Sequence, residues 1–183
     1  MRVDGAAADG LHETPAAVEL QRSYAASVSA HTRALSDVEL VVSAFDAAGL
    51  TPRVIKGPVL AEAVYRRPDL RSYVDLDVLV KPDEFESGLH ALERAGARIH
   101  ERNWSLVRDR ELGELRLITP SAGAIDLHRH LFNDPRARAE FPVDLVAVHE
   151  RLRPVRLGGI VVQTLDPVDT VVHLALHACL AGA

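Results

Sequence analysis

Asp75 and Asp77 stand two apart in Tyr73-Val74-Asp75-Leu76-Asp77-Val78-Leu79-Val80, a run that alternates at period two. In an extended strand such a pair points the same way with Cα atoms roughly 6.5 Å apart, so the two carboxylates can share a divalent cation. Hard oxygen donors suit magnesium. A later run, Ile125-Asp126-Leu127-His128-Arg129-His130, alternates in the same manner and puts Asp126, His128 and His130 on one face. If that strand lies beside the first, Asp126 supplies a third carboxylate. Three carboxylates around two metal ions are the equipment of in-line phosphoryl or nucleotidyl transfer, because the cations hold both the attacking and the leaving oxygens. The turn Lys56-Gly57, with Gly57 placed 18 residues before Asp75, adds a positive charge, a glycine that permits close backbone approach to a phosphate, and the N-terminus of the helix that follows.

These residues need elements to hold them. Met1 to Glu13 has no hydrophobic period and reads as a frayed tail (residues 1–13). Thr14-Pro15 is an N-cap followed by a first-turn proline, opening an alanine-rich helix to Leu35; Ser36 and Glu39 form an S-x-x-E capping box that predicts a second helix ending at Gly49. A core at 50–135 then begins with a short strand at Arg53-Val54-Ile55, the Lys56-Gly57-Pro58 turn and a helix over Leu60 to Tyr65. The DxD strand follows, then a helix opened by Pro82 with Phe85, Leu89 and Leu92 on one stripe and Gly96 at its end. Short alternating pieces at Trp104 to Val107, Glu114 to Ile118 and Ala124 to Leu131 predict an antiparallel meander. The extension 136–183 holds a short helix near Val143 to Arg151, a strand at Ile160 to Leu165 and a helix capped by Asp166 and Pro167. Val168, Val171, Val172, Leu174, Leu176 and Cys179 make that last helix apolar nearly all round, so it should be buried, or else the chain is the front part of a longer protein. The expected class is α/β (α+β), a small mixed sheet flanked by helices.

Composition narrows the partners. The chain of 183 residues is 48% hydrophobic and 26% charged, with a formal net charge of −5. That balance suits a globular chain and disfavours wrapping of long nucleic acid, which needs a broad basic face. No apolar run approaches the ~20 residues of a membrane span. The single Cys179 forms no intramolecular disulfide and is compatible with a reducing compartment, so the cytoplasm is the expected location. Lysine occurs only at Lys56 and Lys81 while arginine and alanine abound, a bias that lowers the information carried by any one arginine.

Strand, glycine turn, helix, D-h-D strand and later h-D-h strand together resemble the nucleotidyltransferase superfamily of DNA polymerase β-like folds. More narrowly, V-I-K-G-P-V-L-A-E-A-V-Y, L-R-S-Y-V-D-L-D-V-L-V and A-I-D-L-H-R-H-L are similar to the uncharacterised bacterial branch of nucleotidyltransferases, over roughly Val41 to Leu131. The resemblance implies that Asp75, Asp77 and Asp126 ligate two Mg2+ ions (Mn2+ is the alternative) and that Asp126 helps activate an attacking hydroxyl. Gly57 would line the triphosphate of an NTP such as ATP. One position departs from the pattern: Pro58 stands where the superfamily usually has Ser or Gly, removing an N–H and a hydroxyl, and Lys56 with Arg71 is expected to substitute. The acceptor is open among a small molecule, a peptide, a protein and an RNA end. An exposed apolar face on the last helix would suggest a homodimer or another partner.

Each residue also has a plain reading. An isolated DxD is usually a solvated edge strand, Lys56 a solvated strand end, and His128 a partly buried histidine bonded to the sheet; its functional roles are orienting Asp126 or contacting the nucleotide. Trp104 and Tyr73 could stack on a base, but strand aromatics are usually core. His173 and His177 share a helix face and could grip zinc, yet Leu174 occupies the place of the glutamate that the zincin pattern requires. Two competing functions remain: a zinc-dependent hydrolase using Asp126, His128, His130, His173 and His177, and a non-catalytic nucleotide-binding module. For the favoured site, relief of carboxylate repulsion predicts that Asp75→Asn and Asp77→Asn both keep the fold.

Overall fold

A 34-residue helix, α1 (Pro15–Ala48), begins where Thr14 accepts a hydrogen bond from Ala17 N–H and ends where Gly49 adopts a left-handed φ of 70°. The computed structural model describes residues 14–101 and 112–181, so the expected tail and the Trp104 to Val107 strand lie outside the described residues. The break expected at Ser36 does not occur. Ser36 Oγ donates back to the Thr32 carbonyl at 3.5 Å, as Thr32 Oγ1 does to Val28 at 3.0 Å, so both hydroxyls bond within the helix rather than capping a new one.

The remaining elements are β1 (Val54–Ile55), α2 (Gly57–Val64), β2 (Asp75–Leu79), α3 (Phe85–Arg94), β3 (Arg98–Ile99), β4 (Glu114–Ile118), β5 (Ala124–His128), α4 (Pro135–Glu140), α5 (Leu145–Glu150), β6 (Arg153–Leu157), β7 (Ile160–Thr164) and α6 (Pro167–Ala181). Five strands form one mixed sheet in the order β1-β2-β5-β4-β3, and β6 with β7 forms a hairpin. The parallel pair β2/β5 sets Asp77 opposite Asp126; the antiparallel pair β4/β5 sets Arg116 opposite Asp126 and Glu114 opposite His128. The predicted short pieces after Arg98 are an antiparallel meander where they are described, and the predicted strand at Ile160 to Leu165 is one arm of the hairpin. Strand β6 and helix α4 had no expectation.

Period-two alternation gives the large sheet two unlike faces. Leu76, Val78, Leu115, Leu117, Ile125 and Leu127 point to one side, where Val38, Val41 and Phe45 of α1 and Phe85, Leu89 and Leu92 of α3 complete the larger core, which also takes in Leu157 and Val162 of the hairpin. The alternate residues, Asp75, Asp77, Glu114, Arg116, Asp126 and His128, form the other side, where Ile55 and Leu79 join Leu131, Val148 and Leu165 in a smaller second core. A second tie binds α1 to the sheet: Ser121 Oγ donates to the buried Asp37 carboxylate at 2.8 Å, and Gly123 is required there because a Cβ would sit 1.9 Å from Asp37 Oδ2. Helix α6 departs from its expected burial. His173 is buried beside Phe132, whereas Val168, Val171 and Val172 are exposed, because only one stripe of the helix meets described residues.

Candidate functional site

On the polar face the register brings the predicted carboxylates together. Asp77 and Asp126, opposite one another on adjacent strands, are buried; Asp75, one pleat earlier, is half-buried. They line a cavity of about 320 Å3 together with Lys56, Gly57, Arg71, Tyr73, Glu114, Arg116, Leu174 and His177. Of the predicted substrate contacts, Lys56, Gly57 and Arg71 lie on this wall, and His128 stands directly behind it, bonded to Asp77.

Each carboxylate has cationic company. Lys56 Nζ is 2.8 Å from Asp77 Oδ1, and His128 Nε2 donates to the same oxygen at 3.0 Å. His128 therefore orients Asp77 rather than Asp126, correcting the expected partner: Asp126 is its neighbour along β5, but the parallel register sets the imidazole within reach of β2. Its other nitrogen, Nδ1, is buried without a hydrogen bond, 3.3 Å from Glu114 Oε2. Asp126 is gripped by Arg116, whose Nε and Nη2 donate to its two oxygens at 2.7 Å each, and Nη2 also reaches Asp75 at 2.9 Å. Arg116 was not among the predicted site residues. Its signal was present in Glu114-Leu115-Arg116-Leu117, where Glu114 and Arg116 share the face opposite two core leucines, but only the β4/β5 register shows which residues they meet.

These surroundings split the acidic pair. Burial, then the nearby charges of Asp77 and Asp126, raise the pKa of Asp75. For Asp77, burial opposes ionisation, yet the His128 hydrogen bond and the charges of His128 and Lys56 outweigh it and hold the carboxyl below its ordinary value. Bonding to two carboxylates raises the already high pKa of Arg116. Asparagine therefore acts differently at the two positions: it relieves repulsion at Asp75, whereas at Asp77 it takes away the charged partner of Lys56 and His128.

The turn between β1 and α2 is unusual. Lys56 has φ 54° and ψ −133°, a region a non-glycine residue rarely adopts. Gly57 follows with φ 21°, and a Cβ there would lie 3.3 Å from the Asp75 carbonyl oxygen. The close neighbour of this glycine is the start of β2 itself. Pro58 is buried in the first turn of α2. Arg71 donates to the Gly57 carbonyl at 3.4 Å and lies 5.9 Å above the Tyr73 ring, whose hydroxyl is bonded to His31 Nδ1 at 2.7 Å. His31 is a second residue that the sequence did not single out.

The histidines divide: His177 lines the acidic cavity and shares a neighbouring one with His128, whereas His130 faces elsewhere. His130 lies beyond β5, its Nδ1 accepting from Phe132 N–H at 3.1 Å, and it lines a different cavity with Pro82, Gly113 and Arg129. His173 and His177 keep a ring separation of 6.1 Å, with His173 buried and both of its nitrogens unbonded. Among the described residues no group of three or more His, Cys, Asp or Glu side chains is set to hold a metal ion as it stands. In the acidic trio the oxygens of Asp126 and Asp75 Oδ2 meet Arg116, and Asp77 Oδ1 meets Lys56. The trio's donor chemistry, three carboxylates on one face with Asp77 directly opposite Asp126, fits a hard divalent cation.

A mixed sheet that sets a DxD strand parallel to a second acidic strand, beside a glycine turn leading into a helix, defines the nucleotidyltransferase class of fold. The chain belongs to the family of uncharacterised nucleotidyltransferases, whose sequence pattern matches residues 2–182. A search of the curated proteins gives no match. Among solved structures, the lincosamide antibiotic adenylyltransferase LnuA with lincomycin bound is similar at 14% identity and a TM-score of 0.48, covering 72% of this chain and 80% of that one. So distant a likeness carries no argument about substrate. No helix among the described residues is long and apolar enough to cross a membrane.

Proposed function

We propose that the protein transfers a nucleoside monophosphate from an NTP to an acceptor hydroxyl or phosphate in a magnesium-dependent reaction. The observation that carries this reading is the register of Asp77 against Asp126, which gathers three carboxylates on the wall of one cavity also lined by Lys56, Arg71 and Arg116. Asp75, Asp77 and Asp126 would hold the cations, two Mg2+ or Mn2+ ions. When bound, they supply neutralisation of the triphosphate charge and alignment of its oxygens.

The remaining work falls to the chain. Lys56 and Arg71 flank the N-terminus of α2 and would bind the phosphates in place of the two donors that Pro58 removes. An acceptor oxygen forms a bond to the α-phosphorus, the bond from that phosphorus to the bridging oxygen breaks, and pyrophosphate leaves with the electron pair. Asp126 would receive the acceptor's proton once Arg116 releases one of its oxygens. His128 keeps Asp77 in position.

The zinc-hydrolase alternative has less support: His130 lines a different cavity from Asp126 and His177, and Leu174 stands where the zincin pattern has its glutamate. The test uses NTP labelled at either the α- or the γ-phosphate, incubated with the protein, Mg2+ and a metabolite extract. Transfer of the α-label, with the γ-label released as pyrophosphate and both lost in Asp126→Asn, is the expected result. Transfer of the γ-label, or label transfer that Asp126→Asn leaves intact, would overturn it.

A further inference from the structure

We propose that Arg116 is a stand-in cation, which a divalent metal displaces from Asp126 and Asp75 and which then binds the phosphates of the donor nucleotide. The inference rests on the reading of the acidic trio as a metal site.

Its first support is occupancy. Arg116 uses Nε on one oxygen of Asp126 and Nη2 on the other, each at 2.7 Å, and shares Nη2 with Asp75 at 2.9 Å. It thus sits on the carboxylates that a cation would need, and a guanidinium beside a divalent ion is repelled by it. The second support is charge balance. The cavity wall carries four carboxylates, Asp75, Asp77, Glu114 and Asp126, and three permanent cations, Lys56, Arg71 and Arg116. The wall is thus one charge short of compensation with no metal present. A divalent ion turns the excess positive, so one resident cation becomes redundant; an incoming triphosphate makes it useful again a few ångströms away.

Freedom to move separates the two that contact the trio, Lys56 and Arg116. Lys56 is 13% exposed and bonded at the strained turn to an aspartate that His128 also holds, so it is fixed. The Arg116 side chain is 46% exposed and rises from a strand facing the open cavity. It can swing without disturbing the core, which lies on the other side of β4, where Leu115 and Leu117 are buried. A planar guanidinium is also the better match to phosphate oxygens.

The proposal predicts opposite signs for two ligands on one substitution. Mn2+ binding to the full-length protein, read by electron paramagnetic resonance without nucleotide, should tighten in Arg116→Met because the competitor is gone. Binding of a non-hydrolysable NTP analogue in saturating Mg2+ should weaken in the same variant by about tenfold or more, the scale of a lost charge-assisted hydrogen bond. Arg116→Lys, which keeps a charge but loses the fork, protects against misfolding of the first variant and should fall between it and wild type on both readouts. Mn2+ affinity that is unchanged or weaker in both variants overturns the stand-in role, since Arg116 would then be holding the carboxylates in place. Tighter Mn2+ with unchanged nucleotide binding overturns its transfer to phosphate. No Mn2+ binding by wild type or either variant sinks the metal-site reading itself along with this inference.

Discussion

The two faces of the five-stranded sheet are built from the same strands and obey opposite rules. On the α1/α3 face the inward strand side chains are apolar, and Phe45, Leu117, Ile125 and Leu127 are fully buried. On the other, Asp77, Asp126 and His128 are buried nearly as deeply, but each is held by specific charged or hydrogen-bonded partners. Packing on the first face is non-directional, so the fold tolerates changes that conserve volume. Pairing on the second is directional, so removal of one partner leaves another buried and uncompensated. The larger core lies on one side of the sheet, and the carboxylates, with a smaller apolar cluster around Leu79, lie on the other.

Substitutions can break that contrast, in order of expected size. Phe45→Ala should cost about 3–5 kcal/mol by urea unfolding, because the ring is fully buried and lies 3.4 Å from the position a Cβ on Gly88 would take. A loss under about 1 kcal/mol would mean that the α1 face is not the main core. On the polar face, Asp77→Asn should cost about 1–3 kcal/mol because Lys56 and His128 lose their common charged partner. Asp75→Asn should fall within about 0.5 kcal/mol of wild type, since it relieves crowding while Arg116 keeps both oxygens of Asp126. Equal losses at the two aspartates would erase the asymmetry.

Acid sharpens the same comparison. Asp77, with its folded pKa depressed, contributes stability that is present above the ordinary carboxylate value and lost as pH falls through the folded one. Asp75, with its folded pKa raised, acts in reverse: its contribution is full below the ordinary value and disappears as pH rises through the elevated one. Burial lowers the pKa of His173 to about 3, so it favours the folded state when neutral, and that contribution declines as pH drops from about 6.5 toward 3. His173→Phe should therefore show a shallower loss of stability with acid over that interval than wild type; parallel curves would contradict the burial of a neutral imidazole. The smallest effect belongs to Ser36→Ala, expected within about 0.5 kcal/mol because Ser36 caps nothing.

Much of this arrangement was legible in the residues. Alternation at period two separated Asp75 and Asp77 from the core face, and the same pattern around Asp126 made it the third carboxylate once the strands were neighbours. Alternation assigns faces, not registers, so the match of Asp77 to Asp126 and the attachment of His128 to Asp77 had to come from the three-dimensional pairing. Arg116 was hidden by the abundance of arginine, which makes any one of them uninformative until its partners are known. The Ser36 capping box failed because its residues serve equally well inside a helix, with no glycine or proline nearby to stop the first one. The tie from Asp37 to Ser121 spans 84 positions and leaves no local trace.

The central claim is that the polar face binds a nucleotide through the acidic trio, and a thermal-shift titration tests it most directly. Wild type and Asp126→Asn would each be melted with every NTP, with and without Mg2+, since a ligand that binds the folded state raises its stability by mass action. The account predicts a magnesium-dependent rise in Tm with at least one NTP in wild type that is absent in Asp126→Asn. No rise with any NTP, or one of equal size in the variant, would contradict it.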